Sequence, residues 1–155
     1  MTIKAQPGRT NIGSEHPEPY KALTAVAKRA DEAALAEGLS PLLIEMVKIR
    51  VSQINGCAFC LRIHTLDALG KGESAERLSL LPAWRESGYF DEKERSALAL
   101  AEYITDIRDS HSHTGLYESA AAHLSPGQMS AVSWVALVIN SYNRIAISSA
   151  YEVNP

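Results

Sequence analysis

The residues of this chain best suited to chemistry crowd into one stretch, INGCAFCLRIHT, residues 54–65. It holds both cysteines, Cys57 and Cys60, and His64 follows four places after the second. On a helix, side chains three and four apart share a face with Cβ atoms about 5–6 Å apart. A disulfide wants a Cβ separation of about 3.5–4.5 Å. A Cys57–Cys60 bridge is therefore reachable with local adjustment and not fully relaxed, which favours a bond that is made and broken. If Cys57 opens a helix after the Asn55-Gly56 break, the positive end of the helix dipole stabilises its thiolate. His64 shares the stripe of the two cysteines and is read as a proton carrier. Phe59, Ile63 and Leu66 form the neighbouring stripe, which is expected to face the core.

A carboxylate completes the set. In PLLIEMVKIRVS, Glu45 lies on an otherwise apolar face with Leu42 and Ile49. Burial there would raise its pKa and let it exchange protons near neutrality. The short QING link folds its helix back toward the next and brings Glu45 near His64. Other readings stand beside this one. The cysteines could be two buried small hydrophobes. They could also hold zinc with His64, and His111 or His113 could supply the fourth ligand that a closed site needs. A thioredoxin-like site needs a strand before the CxxC, and none reads here. Haem attachment needs histidine directly after the second cysteine, where Leu61 stands.

The elements that must position these residues read as helices. Residues 1–19 carry Pro7, Gly8, Gly13, Pro17 and Pro19 and read as an irregular arm; residues 20–155 read as one helical domain. Apolar residues recur at three and four from Tyr20 to Ala34, with Gly38 closing that helix. Ser40-Pro41 caps and opens a helix to about Ser52, and the CxxC helix runs from about Cys57 to Leu69. Ser74 caps a short helix, and Asp91 with Glu94 forms a capping box before a helix holding Leu98, Ala101, Ile104 and Ile107. A short helix at about 116–123 follows. Ser125, Pro126 and Gln128 repeat the capping pattern before a long apolar helix. No alternating strand pattern competes, so the fold class is all-α, with about six to seven helices and the CxxC at the N-terminus of a central one. Ala131–Ile139, apolar on more than one side, suggests burial all round, as at a subunit interface. Trp84, Arg85 and Trp134 read as packing or subunit contacts. Asn143 and Arg144 read as a buried polar contact in which the arginine needs a carboxylate or carbonyl partner.

Bulk composition narrows the function classes. The chain has 155 residues, 46% of them apolar and 21% charged, and a formal net charge of -3, a globular balance. Lysine and arginine are scattered, which argues against a nucleic-acid partner. No run approaches the roughly 20 apolar residues that span a bilayer, and no secretory leader reads at the N-terminus. A cytoplasmic location is expected, where a lone CxxC is more often catalytic or metal-binding than a static staple.

Glu45, then Cys57 twelve residues on, then Cys60 and His64 resembles the catalytic signature of the alkylhydroperoxidase AhpD-like proteins of the carboxymuconolactone decarboxylase superfamily. The segments LLPAWRESGYFDEKERSALALAEYIT and INSYNRIAIS resemble that family further, so that the likeness covers about residues 20–150. The resemblance implies an all-helical trimer or hexamer that reduces organic hydroperoxides without a metal or other cofactor. It implies that a Glu45/His64 relay serves Cys60, that Cys60 attacks the peroxide, and that Cys57 then closes the disulfide. An external dithiol or lipoyl-type protein would reset the pair by exchange at a more exposed Cys57. From the residues alone the order stays open, because the helix dipole favours Cys57 and adjacency to His64 favours Cys60. The superfamily's decarboxylase branch is not expected to work through a CxxC pair. A redox sensor whose disulfide alters assembly is a further alternative.

Overall fold

The computed structural model describes residues 3–108 and 114–154. They are helical, and no strand occurs among them. In chain order the helices are α1 (Ile12–Glu15), α2 (Pro17–Ala36), α3 (Pro41–Asn55), α4 (Ala58–Gly70), α5 (Ala75–Leu80), a 3-10 helix (Leu81–Glu86), α6 (Glu92–Thr105), α7 (Thr114–Ala121) and α8 (Pro126–Ser148). His111 and His113 lie outside the described residues.

Local chemistry sets the boundaries. Ser40 accepts from the Leu43 N–H with Pro41 at the first helical position, so α3 starts there. Asp91 with Glu94 and Ser125 with Gln128 each close a reciprocal capping box on α6 and α8. Gly56 ends α3 in the left-handed region, at φ 66°, which leaves the Cys57 N–H free to bond back to Ser52 O at 2.9 Å. Cys57 then becomes the N-cap of α4, and its carbonyl accepts from the Leu61 N–H at 2.9 Å. One residue thus closes one helix and opens the next.

Helix α3 is the hub, packed against α4, α6 and α8, with α2 covering α8. Leu43, Ile44, Met46, Val47, Ile49 and Val51 of α3 are all buried, a helix enclosed on nearly every side. Helix α8 differs from expectation. Val132, Val135, Ala136 and Ile139 are buried, but Trp134 is 51% exposed and Leu137 48%. Within one chain α8 has a free apolar edge and is not enclosed all round. Ile107 lies beyond α6, which ends at Thr105, and α7 runs over Thr114–Ala121, two residues before the expected 116–123.

The N-terminal arm is more ordered than its prolines and glycines suggest. It carries α1 and joins the other end of the chain through a bridge between Ala5 and Tyr151. Glu152 N–H donates to Lys4 O, and Gln6 N–H to Ala150 O, both at 3.0 Å. These pairings are long-range, so local composition gave no sign of them.

Candidate active site

Two pairs form the site. In the first, the Glu45 carboxylate on α3 accepts from or shares a proton with His64 Nδ1 on α4 at 2.8 Å. The Gly56 turn folds α4 against α3 and makes this contact, as the short link between them indicated. Glu45 is 3% exposed and is held by more than the imidazole. Lys71 Nζ, just past α4, donates to Glu45 Oε1 at 2.5 Å, and Lys48 Nζ lies 3.6 Å from the same oxygen. Lys48 also reaches Asp31 at 2.8 Å.

These cations overturn one expectation. Burial does push the Glu45 carboxyl up, but the His64 bond, the Lys48 charge and the Lys71 bond together outweigh it and hold the pKa at about 2. Glu45 therefore remains a carboxylate near neutral pH and acts as a fixed anchor for the imidazole, not as a group that gains and loses protons. Lys48 sits three residues after Glu45 and was legible from helical spacing. Lys71 reaches the site only through the packing of α3 on α4, and nothing in its sequence neighbourhood marks it.

In the second pair, Cys57 and Cys60 are free thiols, 2% and 5% exposed. The Cys60 thiol donates to the Cys57 sulfur; this bond lowers the Cys57 pKa against the effect of burial, and the N–H groups of Cys60 and Phe59 and the Asn143 amide add to it, giving about 7. The first turn of α4 has no conventional side-chain cap, so those N–H groups bear on sulfur instead. The same bond, burial and the Cys57 charge push the Cys60 thiol well up, with Asn143 opposing them. These directions favour Cys57 as the first of the pair to ionise. The preference for Cys60 as the first nucleophile is not what the electrostatics favour, and Cys57 is not the more exposed sulfur.

The stripes of α4 are also reversed from expectation. Cys57, Cys60 and Ala68 point into the core, while Ile63 is 37% exposed and Leu66 54%. The small cysteines pack like hydrophobes, and the Glu45–His64 contact pulls the same stripe inward. Phe59, between the cysteines, is partly buried and meets Tyr151 edge to face at 5.1 Å. The described hydrogen bonds of His64 end on Glu45, so a proton passing between the imidazole and either sulfur would travel through water or substrate. A cavity of about 100 Å³ adjoins His64, with Lys48 and Asp31 on its polar side and Ala27, Val135 and Val138 on its apolar side. No cysteine lines it.

For a metal, the compatible group among the described residues is Glu45, His64 and Asp67. It contains neither cysteine, and two ammonium groups already hold Glu45. The zinc reading built on Cys57, Cys60 and His64 gains no support. Elsewhere, Trp84 is buried as a packing residue, its Nε1 donating to Glu102 at 2.8 Å. Arg144 has the carbonyl partner it needs, donating to Asn140 O at 2.9 Å and to Asn140 Oδ1 at 2.8 Å.

Residues 17–103 match the carboxymuconolactone decarboxylase family. The uncharacterised protein YdfG of Bacillus subtilis is 41% identical over 104 residues, which is 67% of this chain and 71% of that protein. A crystal structure of a protein of unknown function from Agrobacterium tumefaciens, described as a candidate antioxidant defence protein AhpD, superposes with a TM-score of 0.83 at 30% identity. That superposition covers 95% of this chain and 98% of the other. The debrominase Bmp8 in its apo form superposes with a TM-score of 0.78 at 17% identity, covering 91% of this chain and 74% of its own, a likeness of fold alone.

Proposed function

This chain belongs to the carboxymuconolactone decarboxylase family, and from that premise we propose that it is a thiol peroxidase that reduces organic hydroperoxides through a reversible Cys57–Cys60 disulfide. The observation that carries the reading is a pair of buried free thiols at the start of α4, with the Glu45-bound His64 one turn beyond Cys60 on the same helix; the Cys57 thiol is held down and the Cys60 thiol pushed up, which accords with it. A poised thiolate beside a protonated thiol is what a two-cysteine reduction requires.

The Cys57 thiolate attacks the distal peroxide oxygen and the O–O bond breaks. The departing alkoxide takes a proton and leaves as alcohol, while Cys57 becomes a sulfenic acid. Cys60 then attacks the Cys57 sulfur, loses its thiol proton and expels water as the disulfide forms. An external dithiol, small or lipoyl-type, returns the pair to two thiols and is itself oxidised to a disulfide. His64, held by the Glu45 carboxylate, supplies and collects the protons at the leaving oxygen and at Cys60, and Glu45 keeps the ring in one orientation. The cavity beside His64 is small and mostly apolar, which suits the alkyl part of a compact hydroperoxide. The free apolar edges of α4 and α8 (Ile63, Leu66, Trp134 and Leu137) support assembly of copies into the trimer or hexamer that the resemblance implies.

The experiment is stopped-flow oxidation of reduced protein by cumene hydroperoxide, following thiol loss in the wild type and in His64→Ala. Fast loss of two thiols per chain that slows in the variant supports the reading. Slow loss in both, at the rate of an ordinary thiol, sinks it; disulfide formation with a change in oligomer size and no turnover would favour the redox sensor instead.

A further inference from the structure

Behind the cysteines lies a buried polar cluster that the peroxidase reading leaves unused. Asn143 of α8 and Ser52 of α3 are 0% exposed, and Asn140 is buried as well. The direction of each hydrogen bond in the cluster can be read from its ends. The Ser52 hydroxyl donates to Lys48 O at 2.8 Å, so its oxygen accepts from Asn143 Nδ2 at 3.0 Å. Asn55 Nδ2 donates to Asn140 Oδ1 and to Asn143 Oδ1, each at 2.9 Å.

At the far end the Thr105 hydroxyl donates to Ala101 O at 2.7 Å and accepts from Asn140 Nδ2 at 3.0 Å. The other Asn140 amide proton goes to Ala136 O at 2.9 Å, and Arg144 donates to Asn140 Oδ1. Helix carbonyls can only accept, so both ends are fixed and every amide between them has one orientation. Turning Asn143 over would set its NH₂ against the NH₂ of Asn55, a mismatch that a buried site does not tolerate.

One amide proton of Asn143 is left over after Ser52. Ser52 joins this amide to the cysteines: its hydroxyl takes the first Asn143 proton and its carbonyl accepts from the Cys57 N–H at 2.9 Å, and the Asn143 amide favours the thiolate form of both Cys57 and Cys60. We propose that Asn143 is the sulfur-facing donor of this site, an amide locked in direction by Ser52 and Asn55 that stabilises the reactive thiolate through a neutral hydrogen bond. The proposal rests on the thiol reading of Cys57 and Cys60 and deepens it. A neutral donor favours the thiolate without adding a cation that would compete with Lys48 and Lys71 for Glu45. It also ties the reactivity of the pair to the packing of α3, α6 and α8, since the direction of the amide depends on all three.

The test is the pH profile of iodoacetamide alkylation of the reduced full chain, with thiolate absorbance at 240 nm as a second probe. Wild type should give a midpoint at about 7. Asn143→Asp has nearly the same shape and presents an acceptor where the donor was. Its midpoint should rise by about one pH unit or more, and alkylation at neutral pH should slow about tenfold. A folded variant with the wild-type profile overturns the proposal.

Should the variant fail to fold, the wild-type protein itself decides. The ¹⁵N–¹H signals of the Asn143 side-chain amide should titrate with the same midpoint as the thiolate, and the titration should vanish in Cys57→Ser. Signals that stay fixed through the midpoint, or that still titrate without Cys57, overturn the assignment. None of these readouts uses peroxide. Inertness toward cumene hydroperoxide alongside a shifted alkylation profile would remove the peroxidase reading and leave Asn143 in its role.

Discussion

Replacing Glu45 with glutamine tests the electrostatics of the site most directly. In the folded protein the Glu45 carboxyl titrates at about 2 in place of its ordinary 4.5. A carboxyl held down in this way stabilises the fold above its unfolded pKa, and that stability is lost as pH falls through the folded value. Between 4.5 and 2 the unfolded chain binds a proton that the folded chain does not, so stability falls by about 1.4 kcal/mol per pH unit. Over that interval the loss is roughly 3 kcal/mol, all of it absent from Glu45→Gln. The variant should be less stable than wild type by about 3 kcal/mol at pH 7, in line with the roughly 3–5 kcal/mol for breaking a buried pair from one side. Lys48 keeps Asp31 and Lys71 is half-exposed, which places the cost toward the low end. Urea unfolding followed by far-ultraviolet circular dichroism at pH 7, 5, 4 and 3 measures the difference. It should be constant down to about pH 4.5 and shrink steadily below it. Glu102 is also held low but is present in both proteins and cancels. A difference that stays the same from pH 7 to pH 3 would show that Glu45 is not held as a carboxylate, and the account of the Lys48–Glu45–His64–Lys71 cluster would fail.

Other expectations follow from the same geometry. Cys60→Ala removes the largest influence holding the Cys57 thiol down, so its alkylation midpoint should climb from about 7 toward 9.0; an unmoved midpoint would assign the low value to the helix-end N–H groups and Asn143. Gly56→Ala meets no atom within 4 Å but forces an alanine to φ +66°, which should cost about 1 kcal/mol in urea unfolding with unchanged alkylation. Glu102→Gln weakens the hold on Arg50 at 2.6 Å and on the Trp84 indole N–H at 2.8 Å. It should destabilise by about 2 kcal/mol and shift Trp84 fluorescence, and an unchanged urea midpoint would refute that role. Trp134→Lys places a charge on the free edge of α8 and should lower the mass measured by light scattering if copies meet there; an unchanged mass would move the interface elsewhere.

The all-helical class and most helix boundaries were legible in the sequence because their causes are local. Ser40, Asp91 and Ser125 cap their helices with their own side chains, and Gly56 alone permits the left-handed turn between α3 and α4. The same locality exposed Glu45, Cys57, Cys60 and His64 as a set, since helical spacing and a short link bring them to neighbouring faces. Their protonation could not be read this way. A carboxylate buried alone would have a raised pKa, and Glu45 has a lowered one because Lys71, twenty-six residues away in sequence, packs onto it. Charge–charge energies depend on distance in space, and sequence spacing reports that distance only within one or two turns of a helix. The same limit explains α4: its cysteine stripe faces inward because α3 and α8 close over it, and Asn143 meets the sulfurs from a helix some eighty residues further along. Residue types and helical spacing were enough to mark the groups that can do thiol chemistry. Which sulfur ionises first depends on donors from α4 and from α8, and α8 reaches the cysteines only through packing.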